Sequence, residues 1–105
     1  MNFDKNLSEQ KAAEELFDAL LHLETQDEVT RFMKDLCTPQ EIAILAERWK
    51  VCRLLEKGNL SYREINQMTG VSLATITRIA RFLKTEAHQG YATVLKKIQT
   101  ASNKK

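Results

Sequence analysis

The chain is poor in the residues that interrupt helices. Its 105 residues include one proline and three glycines, and no segment shows the alternation of apolar and polar residues that half-buried strands require. Internal repeats are absent, and low-complexity sequence is confined to residues 102–105. These absences argue against a β-sheet protein and against two domains joined by a linker. They predict one all-α domain over residues 1–105.

Residues that serve catalysis, metal binding or secretion are also few. Cys37 and Cys52 are too few for a secreted disulfide framework, and His22 and His88 lie far from them, without metal-ligand spacing. No nucleophile–base pair, glycine-rich phosphate loop or carboxylate constellation occurs. The sparse aromatic residues form no stacking platform for single-stranded nucleic acid. We therefore expect no enzyme, no metal site and no cofactor.

Long apolar runs and a signal-peptide pattern are missing too, which predicts a cytoplasmic protein with no membrane partner. The charge is divided along the chain. Residues 1–36 hold four basic and nine acidic residues, a net charge of −5, whereas residues 37–105 hold twelve and five, a net charge of +7. This division suits phosphate contact by one part only. An uneven, solvated surface explains it equally well.

Apolar periodicity predicts about six helices. The first runs from about residue 7 to residue 23, the second begins at Gln26 or Asp27, and the last lies near 89–100. The third begins at Thr38-Pro39-Gln40-Glu41, which combines an N-cap, a first-turn proline and a glutamate, and it ends at Gly58. Because this third helix is apolar on more than one side, it must be buried on more than one side. Packing by two chains is a plausible way to achieve that.

The most informative segment is 61–84. Ser61 with Glu64 reads as a capping box, Gly70 can close a short helix, and Ser72 can cap a second one. Helices at 62–69 and 73–84 separated by this turn form a helix-turn-helix, whose second helix places its N-terminal residues in the major groove. The pattern therefore favours sequence-specific binding of double-stranded DNA.

Within this segment, Leu73, Ala74 and Thr77 suit thymine methyl contacts and hydroxyl hydrogen bonds. Arg63 can reach phosphate or guanine. Four further residues suit contact with the DNA backbone, namely Tyr62, Thr75, Arg81 and Lys84. For any single one, a solvated surface residue remains the alternative.

Arg48 and Arg78 pose a separate question, since two guanidinium planes could hold a flat ligand between them. The alternative is that each arginine pairs with an acid such as Glu41 or Glu47, or contacts phosphate.

Taken together, several motifs resemble the tryptophan repressor family: Thr38-Pro39-x-Glu41, Arg48, Leu54-Leu55-x-x-Gly58, Leu60-Ser61-x-Arg63-Glu64 and Ala74-Thr75-Ile76-Thr77-Arg78. The likeness runs from about Cys37 to Lys84 without a gap. It implies an intertwined homodimer that acts as a repressor on a near-palindromic operator. It places Arg63, Asn66, Leu73, Ala74 and Thr77 near bases, and Tyr62, Thr75 and Lys84 near the DNA backbone. The family position matching Asn66 is usually lysine.

The same resemblance implies an effector pocket that includes Thr38, Arg48, Arg78, Ile79 and Phe82. Arg48 and Arg78 match the arginines that sandwich the indole of tryptophan, but Ile79 replaces a glycine and Phe82 replaces a serine. Overfilling a packed site costs about 1–3 kcal/mol, and a buried ammonium without its hydroxyl partner costs about 1–3 kcal/mol more. We expect the protein's own side chains to fill this pocket, so that tryptophan exerts no control and any effector is unknown.

Two other functions stay open. One is a helical protein-interaction or assembly module that has lost specific DNA binding and works through its acidic N-terminal helices. The other is the DNA-recognition subunit of a transposase-like system, although no catalytic carboxylates support it.

Overall fold

The computed structural model describes residues 5–85 and 88–103, with side chains from residue 8 onward. Over these ranges the chain forms six helices and no strand: α1 (Lys5–Leu20), α2 (Gln26–Leu36), α3 (Pro39–Lys57), α4 (Tyr62–Thr69), α5 (Leu73–Lys84) and α6 (Gly90–Asn103). The all-α prediction is confirmed. None of the described helices is long and apolar enough to cross a membrane.

Residues 1–42 form one of two compact units, and its described part holds α1, α2 and the start of α3. α1 ends at Leu20, three residues before the predicted end, because the chain then tightens. The backbone N–H groups of Leu21, His22 and Leu23 bond carbonyls three residues back, at 3.0–3.2 Å, which is the spacing of a 3₁₀ turn. α2 begins after Thr25, whose side chain accepts a hydrogen bond from the Glu28 amide.

The predicted start and end of α3 are both confirmed. The Glu41 amide donates to Thr38 Oγ1 at 3.1 Å, and Glu41 Oε1 accepts from the Thr38 amide at 2.8 Å. This reciprocal pair satisfies two donors that a helix start leaves without a partner. After Lys57, Gly58 adopts a left-handed φ of 75°, where a side chain would be strained.

Residues 43–105 form the second unit, in which α5 packs against both α4 and α6. Its core combines residues from three helices: Val51, Cys52 and Leu55 of α3, Ile65 of α4, and Ile76, Ile79 and Ala80 of α5. Burial raises the pKa of the Cys52 thiol, an effect that nearby Glu56 reinforces. Because the thiol stays protonated, it serves as a small apolar core group.

Apolar side chains also lie on the surface of this single chain. In the first unit, Phe17 is 60% exposed and Leu21 is 82% exposed, and none of the side chains described there is buried. In the second unit, Ile44 and Leu45 of α3 are exposed. The N-terminal half of α3 therefore keeps apolar surface that one chain does not cover, as its sequence pattern predicted.

Candidate nucleic-acid interface

The helix-turn-helix begins with a capping box at α4. Ser61 Oγ accepts from the Glu64 amide at 3.1 Å, and Glu64 Oε1 accepts from the Ser61 amide at 2.8 Å. Hydrogen bonds from Ser61 lower the pKa of the Glu64 carboxyl group below its ordinary value. The backbone of Ser61 has the larger effect and its side chain the second. The negative charge of Glu64 also suits the positive end of the helix dipole. The capping box fixes the start of α4, so that Tyr62 and Arg63 lie in its first turn.

The turn after α4 is closed by glycine and held by side chains. Gly70 adopts a left-handed φ of 75°, and its amide donates to the Asn66 carbonyl at 2.8 Å. The Asn66 side chain donates from Nδ2 to the Val71 carbonyl at 2.8 Å. Thr69 Oγ1 donates to the Ile65 carbonyl at 2.7 Å and accepts from the Val71 amide at 3.1 Å. Both polar groups of the Val71 backbone are thus bonded to side chains of α4.

α5 begins directly after this turn. Ser72 is its N-cap, and Ser72 Oγ accepts from the Thr75 amide at 3.2 Å while donating to Thr75 Oγ1 at 3.0 Å. The half-buried Thr75 hydroxyl is therefore engaged in the cap. Its predicted contact with the DNA backbone stays a prediction.

α5 has a buried face and an exposed face; helical spacing predicts Ile76, Ile79 and Leu83 in the core, and of these Leu83 is only partly buried against it. Ile76, Ile79 and Ala80 are buried, whereas Leu73, Ala74 and Thr77 are exposed near the helix start, with Leu73 50% exposed. At 100° per residue, the exposed three lie within about 100° of one another. Thr77 Oγ1 donates to the Leu73 carbonyl at 2.8 Å, which leaves its oxygen free to accept and its methyl group to make apolar contact. This strip is suited to base edges.

The other predicted DNA contacts outside α5's first turn are also exposed, with one exception. Tyr62 and Arg63 are exposed in the first turn of α4, and Lys84 is exposed as the last residue of α5. Asn66 differs, because its side chain is partly buried in the turn. The Asn66 side chain is therefore bonded within the protein. Its predicted contact with bases stays a prediction.

In the predicted effector pocket, the face of Arg78 is occupied by the protein itself. The Arg78 guanidinium lies 4.5 Å from the centroid of the Phe82 ring. The His88 ring also stacks with Phe82, with 5.8 Å between centroids and 11° between planes. Phe82 thus occupies one face of the Arg78 guanidinium.

The remaining pocket residues are not all brought to that stack. Ile79 is 1% exposed in the core, and Thr38 caps α3 within the first unit. In the described part of the chain, the side chain of Arg48 forms no hydrogen bond, ion pair or ring contact, and Arg78 forms no ion pair. In the described part of this single chain neither arginine pairs with Glu41 or Glu47, and Glu41 instead accepts from the Thr38 amide. Contact of either arginine with phosphate stays an open alternative.

A groove of about 430 Å³ opens beside the stack, between α5 and α6. It is lined by Arg78, Phe82, His88, Gly90, Tyr91 and Val94. Tyr91 also contacts Trp49, with ring centroids 6.4 Å apart. Among the residues the structure describes, no group of three or more His, Cys, Asp or Glu side chains could hold a metal ion.

Sequence reasoning missed three features of this region. The sequence indicates the side-chain bonds to Val71 only weakly, since Asn and Thr often bond backbone groups across a turn. The contact of Arg78 with Phe82 had a stronger signal, because residues four apart are neighbours on a helix. The approach of His88 had none, because it depends on where the chain returns after α5.

Comparisons with known proteins agree with this architecture. The family model described as "Trp repressor protein" matches residues 11–99. The Bacillus subtilis protein YerC is 39% identical over 97 residues, which cover 90% of this chain and 92% of YerC. A Trp operon repressor homolog of Vibrio vulnificus is 37% identical over 79 residues, covering 75% of this chain and 78% of that relative. The solved structure of a TrpR like protein from Eubacterium eligens matches with a TM-score of 0.74 and 37% identity, covering 85% of this chain and 90% of that one.

Proposed function

The chain belongs to the Trp repressor family of DNA-binding regulators, and from that premise we propose that it is a tryptophan-independent repressor. It acts as a homodimer on a near-palindromic operator in the cytoplasm, with α5 as the recognition helix. The observation that carries this proposal is the exposed strip at the start of α5, opposite a face that is buried in the core.

Base contacts are assigned to that strip and to α4. Leu73, Ala74 and the Thr77 methyl group offer apolar contact to thymine methyl groups, and Thr77 Oγ1 can accept from a base amino group. Arg63, exposed in the first turn of α4, has the planar donors that match guanine. Tyr62, Thr75 and Lys84 are assigned to the backbone, where contacts fix register and supply salt-dependent affinity.

The homodimer is supported by apolar surface left on the single chain. Phe17 is 60% exposed and Leu21 is 82% exposed in the first unit, and Ile44 and Leu45 of α3 are exposed in the second. A second copy could cover these side chains. Two symmetric recognition helices then enter successive major grooves about 34–36 Å apart; the tryptophan repressor is itself one of the proteins from which this geometry is known.

Independence from tryptophan is supported by the stack on Phe82. An indole that used the face of Arg78 would have to displace a ring already 4.5 Å from its guanidinium. The family resemblance places Ile79 where tryptophan-sensing relatives carry glycine, and its larger side chain is buried here, with 1% exposure. Both side chains oppose the ligand that the family is named for.

Selection of bound sequences from random duplex DNA, with and without L-tryptophan, tests the proposal. We expect a near-palindromic site whose half-site spacing matches one helical turn, with the same enrichment in both conditions. Arg63→Ala and Thr77→Ala should each weaken the preference, whereas Gln67→Ala, an exposed change on α4, serves as the matched control. Unchanged affinity and preference in the first two variants would sink specific recognition by this surface.

The second candidate function is an assembly module. The observation that favours it is the exposed apolar surface of α1 and α2. Salt dependence separates the two. A DNA-binding protein loses affinity steeply as salt rises, with a slope set by the phosphates it contacts. A module without specific DNA binding shows no enriched sequence at any salt concentration.

A further inference from the structure

Val71 is held at three points, two of them hydrogen bonds from its backbone to side chains of α4. Its amide donates to Thr69 Oγ1 at 3.1 Å, and its carbonyl accepts from Asn66 Nδ2 at 2.8 Å. Its side chain packs against the core of the second unit. Thr69 is itself anchored, since its hydroxyl donates to the Ile65 carbonyl at 2.7 Å, and Ile65 is fully buried.

This arrangement lies immediately before the recognition helix. Val71 is followed by Ser72, the N-cap whose carbonyl and hydroxyl accept from the Ile76 and Thr75 amides. Fixing both polar groups of Val71 restricts its φ and its ψ, so the direction in which α5 leaves the turn is restricted too. Gly70 needs such support, because glycine retains more freedom in the unfolded chain than any other residue.

We propose that Asn66 and Thr69 form a clasp on Val71 that positions α5 for DNA, so that Asn66 acts through the turn and touches no base. This inference rests on the proposed function and deepens it. It names the side chains of the protein itself, and not a bound ligand, as the groups that hold the recognition helix in position. It also changes the assignment of Asn66 that the family resemblance implied. A neutral amide bonded inside the turn replaces the cation that relatives usually carry.

A direct contact and a positioning contact leave different signatures. Losing a base contact relaxes the preference at one base pair of the half-site. Losing the clasp loosens the whole helix, so every base position that α5 reads weakens together. Because neither Asn66 nor Thr69 carries charge, the salt slope should keep its wild-type value in their neutral variants.

The first measurement is amide hydrogen exchange in the free protein. Asn66→Asp keeps the shape of the side chain and removes the donor, whereas Thr69→Val keeps the branched shape and removes the hydroxyl. Losing one side-chain hydrogen bond should speed exchange at Val71, Thr75 and Ile76 by roughly tenfold. Gln67→Ala should leave these three amides unchanged. Equal exchange in wild type and in both variants would overturn the clasp.

The second measurement is DNA binding by Asn66→Ala, Thr69→Val and Gln67→Ala on the sequence that wild type selects. We expect the first two to lose affinity by roughly tenfold each, with an unchanged salt slope and a uniform loss of preference. A loss of preference confined to one base pair would show that Asn66 reads a base, and the proposal would be wrong. Full affinity in both variants would overturn it equally.

Failure of the clasp and failure of the proposed function are distinguishable. If wild type selects no sequence, DNA recognition fails, and with it the role of the clasp in DNA recognition. If wild type selects a site while Asn66→Ala and Thr69→Val bind it normally, the clasp alone fails. Thermal unfolding monitored by circular dichroism confirms that each variant is folded at the assay temperature, and the two clasp variants provide separate routes to the same result.

Discussion

Phe82 should decide whether tryptophan has any effect on this protein. Its ring is covered on one side by the Arg78 guanidinium at 4.5 Å and stacks with His88 at 5.8 Å. A cation on a ring contributes about 0.5–1 kcal/mol at an exposed site, and an aromatic pair contributes about 0.5–1.5 kcal/mol. An indole that took the place of the Phe82 ring would break both contacts, which costs about 1–2.5 kcal/mol. This cost weakens tryptophan binding roughly 5- to 70-fold.

Thermal unfolding measures this effect directly. If wild type bound L-tryptophan with a Kd of about 10 μM, about 1 mM ligand would stabilise it by about 2.7 kcal/mol. For a domain of this size that would raise Tm by roughly 10–20 °C. We expect no rise. Glycine at the same concentration is the matched ligand control, since it has the same ammonium and carboxylate groups without a ring.

Phe82→Ser tests the other half of the argument. The variant loses both ring contacts, so we expect its free energy of unfolding to fall by about 1–2.5 kcal/mol from these contacts. A wild-type Tm that rises by several degrees with L-tryptophan, but not with glycine, would refute the reasoning about the pocket. A Phe82→Ser variant as stable as wild type would show that the stack contributes nothing.

Four further predictions concern three features of local structure and the formation of a dimer. Ser61→Ala removes one half of the α4 capping box and should cost about 0.5–2 kcal/mol in chemical denaturation; an outcome within error of wild type would contradict the role of the box. The lowered pKa of Glu64 means that its bonds to Ser61 stabilise the fold above the ordinary pKa of 4.5, and that this contribution is lost as pH falls through the lowered value. An NMR titration of Glu64 in wild type checks the direction, and in Ser61→Ala, which keeps the backbone bond, the pKa should stay lowered but by less. Gly70→Ala should lower the free energy of unfolding by about 1–2 kcal/mol through backbone strain alone. Strain is the whole effect because φ is 75° and nothing lies within 4 Å of an added Cβ. Gly90→Ala is the control, since the φ of Gly90 is not left-handed. Leu21→Lys should shift the protein towards monomer in sedimentation velocity if a second copy covers this 82% exposed side chain, whereas Gln10→Lys, on an exposed polar residue of α1, should not.

Local signals in the sequence predicted the helix boundaries well. The capping boxes at Thr38 and Ser61 depend on residues three apart, so their bonds follow from the sequence alone. The end of α1 was predicted three residues late, because Leu21 and Leu23 continue the apolar stripe although the backbone has already tightened to 3₁₀ bonds. An apolar side chain can continue a periodic pattern through such a turn without extending the helix.

The candidate site was less predictable, for a physical reason. The exposed strip on α5 follows from helical periodicity and the core positions, so it could be foreseen. The placement of Asn66 could not, because the same side chain suits a base edge or a backbone carbonyl and only the folded turn selects between them. The stack on Phe82 combines one contact within α5, which spacing indicates, with His88, which lies beyond the end of the helix.

These two placements bear on how the proposed homodimeric repressor can be controlled. A ligand shifts a conformational equilibrium only by its differential affinity for the two states. At the start of α5, Ser72, Asn66 and Thr69 already supply bonds that hold the turn, and further along the helix Phe82 already occupies the face of Arg78. A ligand that offered the same contacts would replace internal bonds and gain little differential affinity. Control is then more effective through the amount of dimer, because mass action couples protomer concentration to both folding and operator occupancy. Operator occupancy that rises with the square of protein concentration below the dimer Kd, and that does not respond to tryptophan, is the behaviour expected of this design.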